Sequence, residues 1–408
     1  MITLVINCGS SSVKYQLINT EDRTKLASGV VERIGAVTAI VKHELPGAKP
    51  AKKTMQIDNH TIALKEIMEH LLSPENGVVE SVDQIKAVGH RVVHGGETFK
   101  DSVLIDDSVI EAIEQAYDLA PLHNPPNMKG IEAAREYLPD AAHVAVFDTA
   151  FHHSLPPEAY LYAIPNRMYR RYKIRKYGFH GTSHYYVSRK YYEITKRKAQ
   201  GTNVITCHLG NGCSITAIKD GKSIDTSMGF TPLAGLVMGT RSGDIDPSIM
   251  FYLIEKEEMS LNHLHAMLNR NSGLLGLSGY AADMRDLITE AENGDRRCEQ
   301  AIDVYTYRTR QYIGSYMAAL NGCDAIIFTA GVGENAPFIR SKICSGLQYL
   351  GVELDEEKNQ NVPSGRKEHK ISTDESRIEV YVISTDEEMV IAIDAAKIAT
   401  AAMQSPWV

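Results

Sequence analysis

VITCHLGNGCSIT, residues 204–216, reads as a β-branched strand, a tight turn at Gly210, Asn211 and Gly212, and a second strand opening at Ser214-Ile215-Thr216. Two glycines flanking an asparagine permit positive φ and leave backbone N–H groups uncovered by any Cβ. Amides converging at such a turn suit an anion, usually a phosphate. The competing reading is an ordinary hairpin turn. A second copy of the plan shifts that balance: LVINCGSSSVK, residues 4–14, is again strand, small polar turn, strand. Two such hairpins, one near residue 10 and one near residue 210, predict a duplicated α/β fold with a nucleotide between the halves.

A chain of 408 residues implies two or three domains. With 43% apolar and 23% charged residues it has the composition of a globular protein whose core needs no staples. A formal charge of −8 argues against nonspecific nucleic-acid binding, which wants a basic face. Small anionic ligands, met by local arginines, stay open. The six cysteines form no C-x-x-C pair and no zinc spacing, which fits a reducing compartment. The opening MITLVI lacks a basic n-region, and no apolar run approaches a membrane span. The expectation is a cytoplasmic protein with no membrane and no nucleic-acid partner.

Residues 1–18 read as a hairpin, with further strands at 28–34 and 38–43 and a helix at 60–72 that Pro74 ends. In IKAVGHRVVH, residues 85–94, alternation puts Arg91 and Val93 on one face of a strand and His90, Val92 and His94 on the other. An arginine there either pairs with a buried acid or meets a ligand. A helix at 106–117 precedes a rigid loop, APLHNPPN at 120–127, and a helix at 130–137. The buried strand AHVAVF, 142–147, ends at Asp148, where open α/β sheets place ligand chemistry. Further on, a helix from about 182 to 194 should be capped by Thr182 or Ser183. The loop GFTPLAGLVMGTRSGDIDP, 229–247, holds Arg241 and is too well specified to be a plain connection. Helices follow at 248–256, 261–269, 281–292 and 296–320, then a strand at 325–329 that turns at 331–335. After a strand at 379–383, a last helix running to about 403 should bury Met389, Ile393, Ala396, Thr400 and Met403. The expected domains are 1–150, completed by the last helix (about 386–408), and 151–385.

No G-x-x-x-x-G-K-[ST] occurs, which excludes a P-loop. AIIFTAGVGENA, 325–336, mimics a dinucleotide fingerprint, with Glu353 and Asp355 placed as the ribose acid. Its late position and Pro337 at the helix entry count against that reading. His90 and His94 are four apart, yet on a strand they do not converge as zinc ligands would. Arg91, Arg241, His123 and His180 with Asp148 and Glu387 make better sense together. Guanidinium forks bind both carboxylate and phosphoryl oxygens, so they can bring a small acid to a polyanionic nucleotide.

The chain resembles the acetokinase family, of the acetate and sugar kinase/Hsp70/actin superfamily, over nearly its whole length. The motifs that carry the resemblance are VINCGSSSVKYQL (5–17), AVGHRVVHGGE (87–97), LAPLHNPPN (119–127), VFDTAFH (146–152), YGFHGTSH (177–184), CHLGNGCSITA (207–217), SMGFTPLAGLVMGTRSGDIDP (227–247), FTAGVGEN (328–335) and TDEE (385–388). The resemblance implies duplicated ribonuclease H-like (actin-like ATPase) βββαβαβα domains with the nucleotide in the cleft. It also implies reversible, direct in-line phosphoryl transfer from ATP to acetate, giving acetyl phosphate and ADP. Mg²⁺ would serve, with Mn²⁺ able to substitute, held by Asn7 and Glu387. Lys14 would approach the phosphates, which His208, Leu209, Gly210, Asn211 and Gly212 would cradle. Asp283, Met284 and Arg285 with Gly331, Val332, Gly333, Glu334 and Asn335 would form the adenosine side. Arg91 would bind the acid, Asp148 would be the catalytic carboxylate, and His180 and Arg241 would stabilise the transferring group, with His123 nearby. Val93, Leu122, Phe179 and Pro232 would form a small apolar pocket favouring acetate over propionate.

Acetate is already ionised at neutral pH, so Asp148 reads as an orienting or metal-linked group rather than an obligatory base. Cys8 and Cys213 stand where the family commonly has alanine and serine, and both are expected to sensitise the hairpins to thiol reagents. The resemblance further implies a homodimer. The rivals are a propionate- or butyrate-preferring kinase of the same fold and an actin-like filament protein, and acid-dependent ADP formation would separate the latter.

Overall fold

The computed structural model describes residues 1–75, 77–121, 123–363, 365 and 368–404. It divides into two units, 1–150 with 386–408 and 151–385. In the first, β1 (Ile2–Gly9), β2 (Ser12–Asn19), β3 (Thr24–Glu32), β4 (Ala39–Glu44) and β5 (Ala51–Met55) form an antiparallel meander. Then β6 (Ile85–Val92) runs parallel to β1 and β8 (Ala142–Phe147) parallel to β6, with β7 (Val103–Leu104) antiparallel at the edge. The second unit repeats the design. Here β9 (Asn203–Leu209), β10 (Cys213–Lys219) and β11 (Lys222–Thr226) make the antiparallel part. Next, β12 (Ala325–Thr329) is parallel to β9 and β14 (Glu379–Ile383) parallel to β12. The short β13 (Glu368–Lys370) closes the far edge. Both sheets are mixed, and the fold is α/β.

Strand alternation sorts the first core into two layers. Leu4, Ile6, Val13, Tyr15 and Leu17 face the helices His60–Leu71 and Asn124–Tyr137 through Ala63, Leu64, Ile67 and Ala134. Val5, Ala87, Val144 and Val146 face the helix Glu387–Gln404. Chain order exchanges the closing helices: Gly181–Thr195, which follows β8, lies on the second sheet, and Glu387–Gln404, which follows β14, lies on the first.

The buried face of that last helix differs from the expected one. Met389, Val390, Ile391, Ala392, Ala395, Ala396 and Ala399 are buried, whereas Thr400 and Met403 are exposed and Ile393 is half-buried. Small side chains choose this face because the helix must approach Gly89 of β6 closely. A Cβ on Gly89 would lie 2.5 Å from Ile391 Cγ2 and 3.1 Å from Ile391 O. Gly89→Ala is therefore expected to push the helix off the sheet and cost roughly 1–3 kcal/mol of stability. Urea unfolding monitored by circular dichroism checks it.

Two local expectations also change. Pro125 and Pro126 occupy the first turn of Asn124–Tyr137 rather than a loop, since a first-turn residue needs no backbone N–H. The helix Gly181–Thr195 is not capped by Thr182 or Ser183; its N-cap is His180, in the left-handed region at φ 57°. Ser183 instead bonds His208 Nδ1 at 2.8 Å.

Candidate active site

In the first unit, β6 and β8 end side by side and bring Arg91 to Asp148, whose N–H donates to Val92 O at 3.0 Å. The guanidinium donates through Nε to Oδ1 at 2.9 Å and through Nη2 to Oδ2 at 2.6 Å. Asp148 is 2% exposed and Arg91 21%. Burial pushes the Asp148 carboxyl above its usual value, and Arg91 opposes that. Burial works against the Arg91 charge, but Asp148 and Glu387 outweigh it and hold its pKa above the ordinary value.

Two buried amides fix the chain leaving β6. Asn124 exchanges both hydrogen bonds with the backbone of His94, at 3.1 and 3.0 Å. Asn127 accepts from Val93 N–H at 3.1 Å and donates to Cys8 O at 2.7 Å. The sequence reading missed this duty of the HNPPN motif; two asparagines spaced across paired prolines were the available signal. His123, half-buried, is the N-cap of the same helix, and Leu122 lies outside the described residues.

Asn7 and Lys14, paired across β1 and β2, line a cavity of about 210 Å³ with Glu388. Glu387 is not in its lining and acts electrostatically on Arg91 and Asp148. Burial, with Glu387 and Asp386 adding to it, raises the Glu388 carboxyl. Lys14 and Lys42 of this lining cannot ligate a metal, and its only carboxylates among the described residues are those of Glu44 and Glu388, which suits Mg²⁺ held mainly by phosphates and water. Among the described residues no group of three His, Cys, Asp or Glu could hold a metal alone.

In the second unit, Gly210 and Asn211 line a cavity of about 770 Å³, within the range of a small-molecule site. Asp283, Met284, Arg285, Gly331, Val332 and Asn335 line it too, with Leu274, Ile288 and Phe338 as added apolar wall. Gly333 and Glu334 do not. Gly333 is buried against Phe328 and Cys207, and Glu334 Oε1 accepts from the N–H groups of Ala330 and Thr385 at 2.9 and 3.3 Å. Both hold the strand-to-helix turn instead of facing the cavity. His208, Leu209 and Gly212 also lie off this lining.

The glycines of the turn are not used for positive φ, contrary to expectation. Gly210 N–H is spent on Gly212 O at 3.1 Å. What the absent side chain provides at Gly212 is room: a Cβ there would sit 3.5 Å from Arg241 Nη1 and 3.5 Å from both Cε1 and Nε2 of His180. That volume is bracketed by a guanidinium and an imidazole. Arg241 is half-buried, and burial lowers its pKa. Its Nη1 reaches only Pro232 O at 3.4 Å and Met238 Sδ at 3.8 Å, and no carboxylate pairs with it among the described residues. His180 stacks on His208 at 4.1 Å between centroids. Phe179 is 2% exposed and Pro232 half-buried in this unit, whereas Val93 belongs to the first.

The thiol expectation fails on burial. Cys8 and Cys213 are 5% and 0% exposed, and desolvation raises their pKa values to about 12 and about 11, so neither supplies thiolate at neutral pH.

The sequence model of the acetokinase family matches residues 2–393. The acetate kinase of Desulfitobacterium hafniense (strain Y51) is 54% identical over 394 residues, covering 97% of this chain and 98% of that protein. That of Thermotoga maritima is 52% identical over 399 residues, with 98% of each covered. Among solved structures, Porphyromonas gingivalis acetate kinase superposes with a TM-score of 0.93 at 43% identity, covering 97% of this chain and 99% of its own. A propionate kinase from Francisella tularensis gives 0.90 at 43% identity, with 97% and 99% covered. The likeness to these folds agrees with duplicated ribonuclease H-like domains. The chain belongs to the acetokinase family.

Proposed function

We infer that this enzyme catalyses reversible phosphoryl transfer between ATP and acetate, giving acetyl phosphate and ADP. The observation that carries the reading is the space over Gly212, bounded by His180 and by an Arg241 guanidinium that no carboxylate neutralises among the described residues. A half-buried cation without a counter-charge is costly unless an anion arrives. Beside it, the Gly210–Asn211 end of the larger cavity suits a nucleotide tail, and the apolar walls of Leu274, Met284, Ile288 and Phe338 suit a nucleoside.

In the forward step an acetate oxygen attacks the γ-phosphorus as the bond to the ADP oxygen breaks, in line. Acetate arrives ionised, so no proton need be removed. Both Asp148 oxygens are engaged by Arg91, which supports an orienting role: Asp148 fixes the guanidinium plane and leaves its remaining N–H edge for the acid carboxylate. Arg241 and His180 would donate to the equatorial oxygens as charge spreads over them. Asn7 and Glu387 would hold Mg²⁺ with Lys14 near the phosphates; when bound, the ion neutralises phosphate charge, and Mn²⁺ would substitute as another hard cation.

Acetate over propionate is the finer part of the proposal, resting on the family resemblance at Val93 in the first unit and at Phe179 and Pro232 in the second. One methylene shifts preference by about 1–3 kcal/mol. A hydroxamate assay for acyl phosphate should show acid-dependent product with kcat/KM for acetate about ten-fold or more above propionate. Propionate preferred would favour the second reading, which the Francisella neighbour keeps in view.

We also propose a cytoplasmic homodimer with the domains set at 1–150 plus the last helix and 151–385. All six cysteines are free, which fits a reducing compartment, and no described helix is long and apolar enough to cross a membrane. Ser248–Lys256 buries none of its residues and exposes Ile249, Phe251 and Tyr252, a surface suited to a second copy.

A further inference from the structure

From His180, beside the Gly210–Gly212 turn, a chain of hydrogen bonds leads to three side chains to which none of the roles above is assigned. His180 Nδ1 lies 2.9 Å from Ser214 Oγ, and Ser214 Oγ lies 2.7 Å from His184 Nε2. His184 Nδ1 lies 2.7 Å from Thr206 Oγ1. Ser214, His184 and Thr206 are each 0% exposed. They come from β10, the helix Gly181–Thr195 and β9, all in the second unit.

The direction of this chain follows from counting protons. Each hydroxyl has one to donate. Thr206 Oγ1 has no other hydrogen-bond partner among the described residues. If His184 Nδ1 carried a proton, the Thr206 hydroxyl proton would be buried with no acceptor, a desolvation cost of about 1–3 kcal/mol. So Thr206 donates to His184 Nδ1. Burial, with His152 and His208 close by, holds His184 well below the usual histidine range, so it is neutral and its one ring proton is on Nε2. That N–H donates to Ser214, and Ser214 spends its own proton on His180 Nδ1. The proton of a neutral His180 then sits on Nε2, the atom beside the space over Gly212. The reverse direction would turn a lone pair toward phosphoryl oxygens.

We propose that Ser214, His184 and Thr206 are positioning residues that fix His180 as the Nε2–H tautomer, so that it meets the phosphoryl group as a neutral hydrogen-bond donor. The proposal rests on the phosphoryl-transfer reading for its purpose. The tautomer itself belongs to the ligand-free protein and can be measured without turnover.

The test is a long-range ¹H–¹⁵N correlation on the full chain labelled with ¹⁵N-histidine, with His180 assigned by His180→Gln, beside hydroxamate kinetics. The expected wild-type spectrum has His180 protonated at Nε2 and bare at Nδ1. Ser214→Ala and Thr206→Val should each yield a mixture of tautomers and lower kcat about 10–100-fold, as lost orienting partners do, with KM for ATP little changed. Thr206→Ser should restore both the spectrum and the rate, which separates orientation from packing and keeps the test open if Ser214→Ala misfolds. A wild-type His180 protonated at Nδ1, or Thr206→Val with tautomer and kcat unchanged, overturns the proposal. An Nε2–H signal in a protein that makes no acyl phosphate would sink the reaction and leave the tautomer assignment standing.

Discussion

Arg241→Ala should lower kcat for acyl phosphate formation by on the order of 10²–10³, ~3–4 kcal/mol of lost transition-state stabilisation. The size follows from the setting. The guanidinium is half-buried, holds no carboxylate among the described residues, and faces the space over Gly212 from 3.5 Å. In the resting protein its charge is a liability, so its removal should leave stability unchanged or slightly higher. Arg241→Lys should recover little, because an ammonium cannot reproduce the planar fork. Steady-state kinetics with urea unfolding separate the two effects: a fall in kcat without a fall in stability is the expected pair.

Arg91→Ala should behave in the opposite way on stability. It strands Asp148, 2% exposed, without its bidentate partner, a loss of about 3–5 kcal/mol at neutral pH. With Arg91 gone, burial and Glu387 both push the Asp148 carboxyl upward, so its folded-state pKa exceeds the unfolded value. The folded form then binds the proton more tightly. The variant should approach wild-type stability in acid, below about pH 4, and lose it as pH rises through the raised value. Asp148→Asn added to Arg91→Ala should restore neutral-pH stability without restoring activity. Turnover should fall and KM for acetate should rise, with kcat/KM lower by on the order of 10². Stability curves against pH for the single and double variants, with acetate saturation kinetics, decide this. A pH-independent deficit would mean that Asp148 is not the stranded group.

Much of this site is legible because glycine punctuation and strand alternation are local signals. Both hairpins, the β6 strand with Arg91, and AHVAVF ending at Asp148 needed only neighbouring residues. Edge strands were harder: AKKTM has exposed lysines and no buried face, so nothing in β5 alternates. The prolines of HNPPN hid a helix start, because the residue that forbids a helix interior is welcome in its first turn. The last helix misled for a different reason. Its buried face is set by Gly89 on a strand some 300 residues earlier, and no helical periodicity carries that. Gly333 and Glu334 stood in a ligand-like motif but serve the turn beneath it. The His180–Ser214–His184–Thr206 chain joins three elements and could be found only in three dimensions.

Gly212→Ala tests the central claim most directly, that the transferring phosphoryl group occupies the space over this turn. A methyl there meets nothing closer than 3.5 Å and needs no unusual φ, so stability in urea should stay within about 0.5 kcal/mol of wild type. Placed between Arg241 and His180, it should displace the reacting group and cut hydroxamate-detected turnover by on the order of 10² or more. Turnover within two- to three-fold of wild type in a folded Gly212→Ala protein would put the chemistry elsewhere.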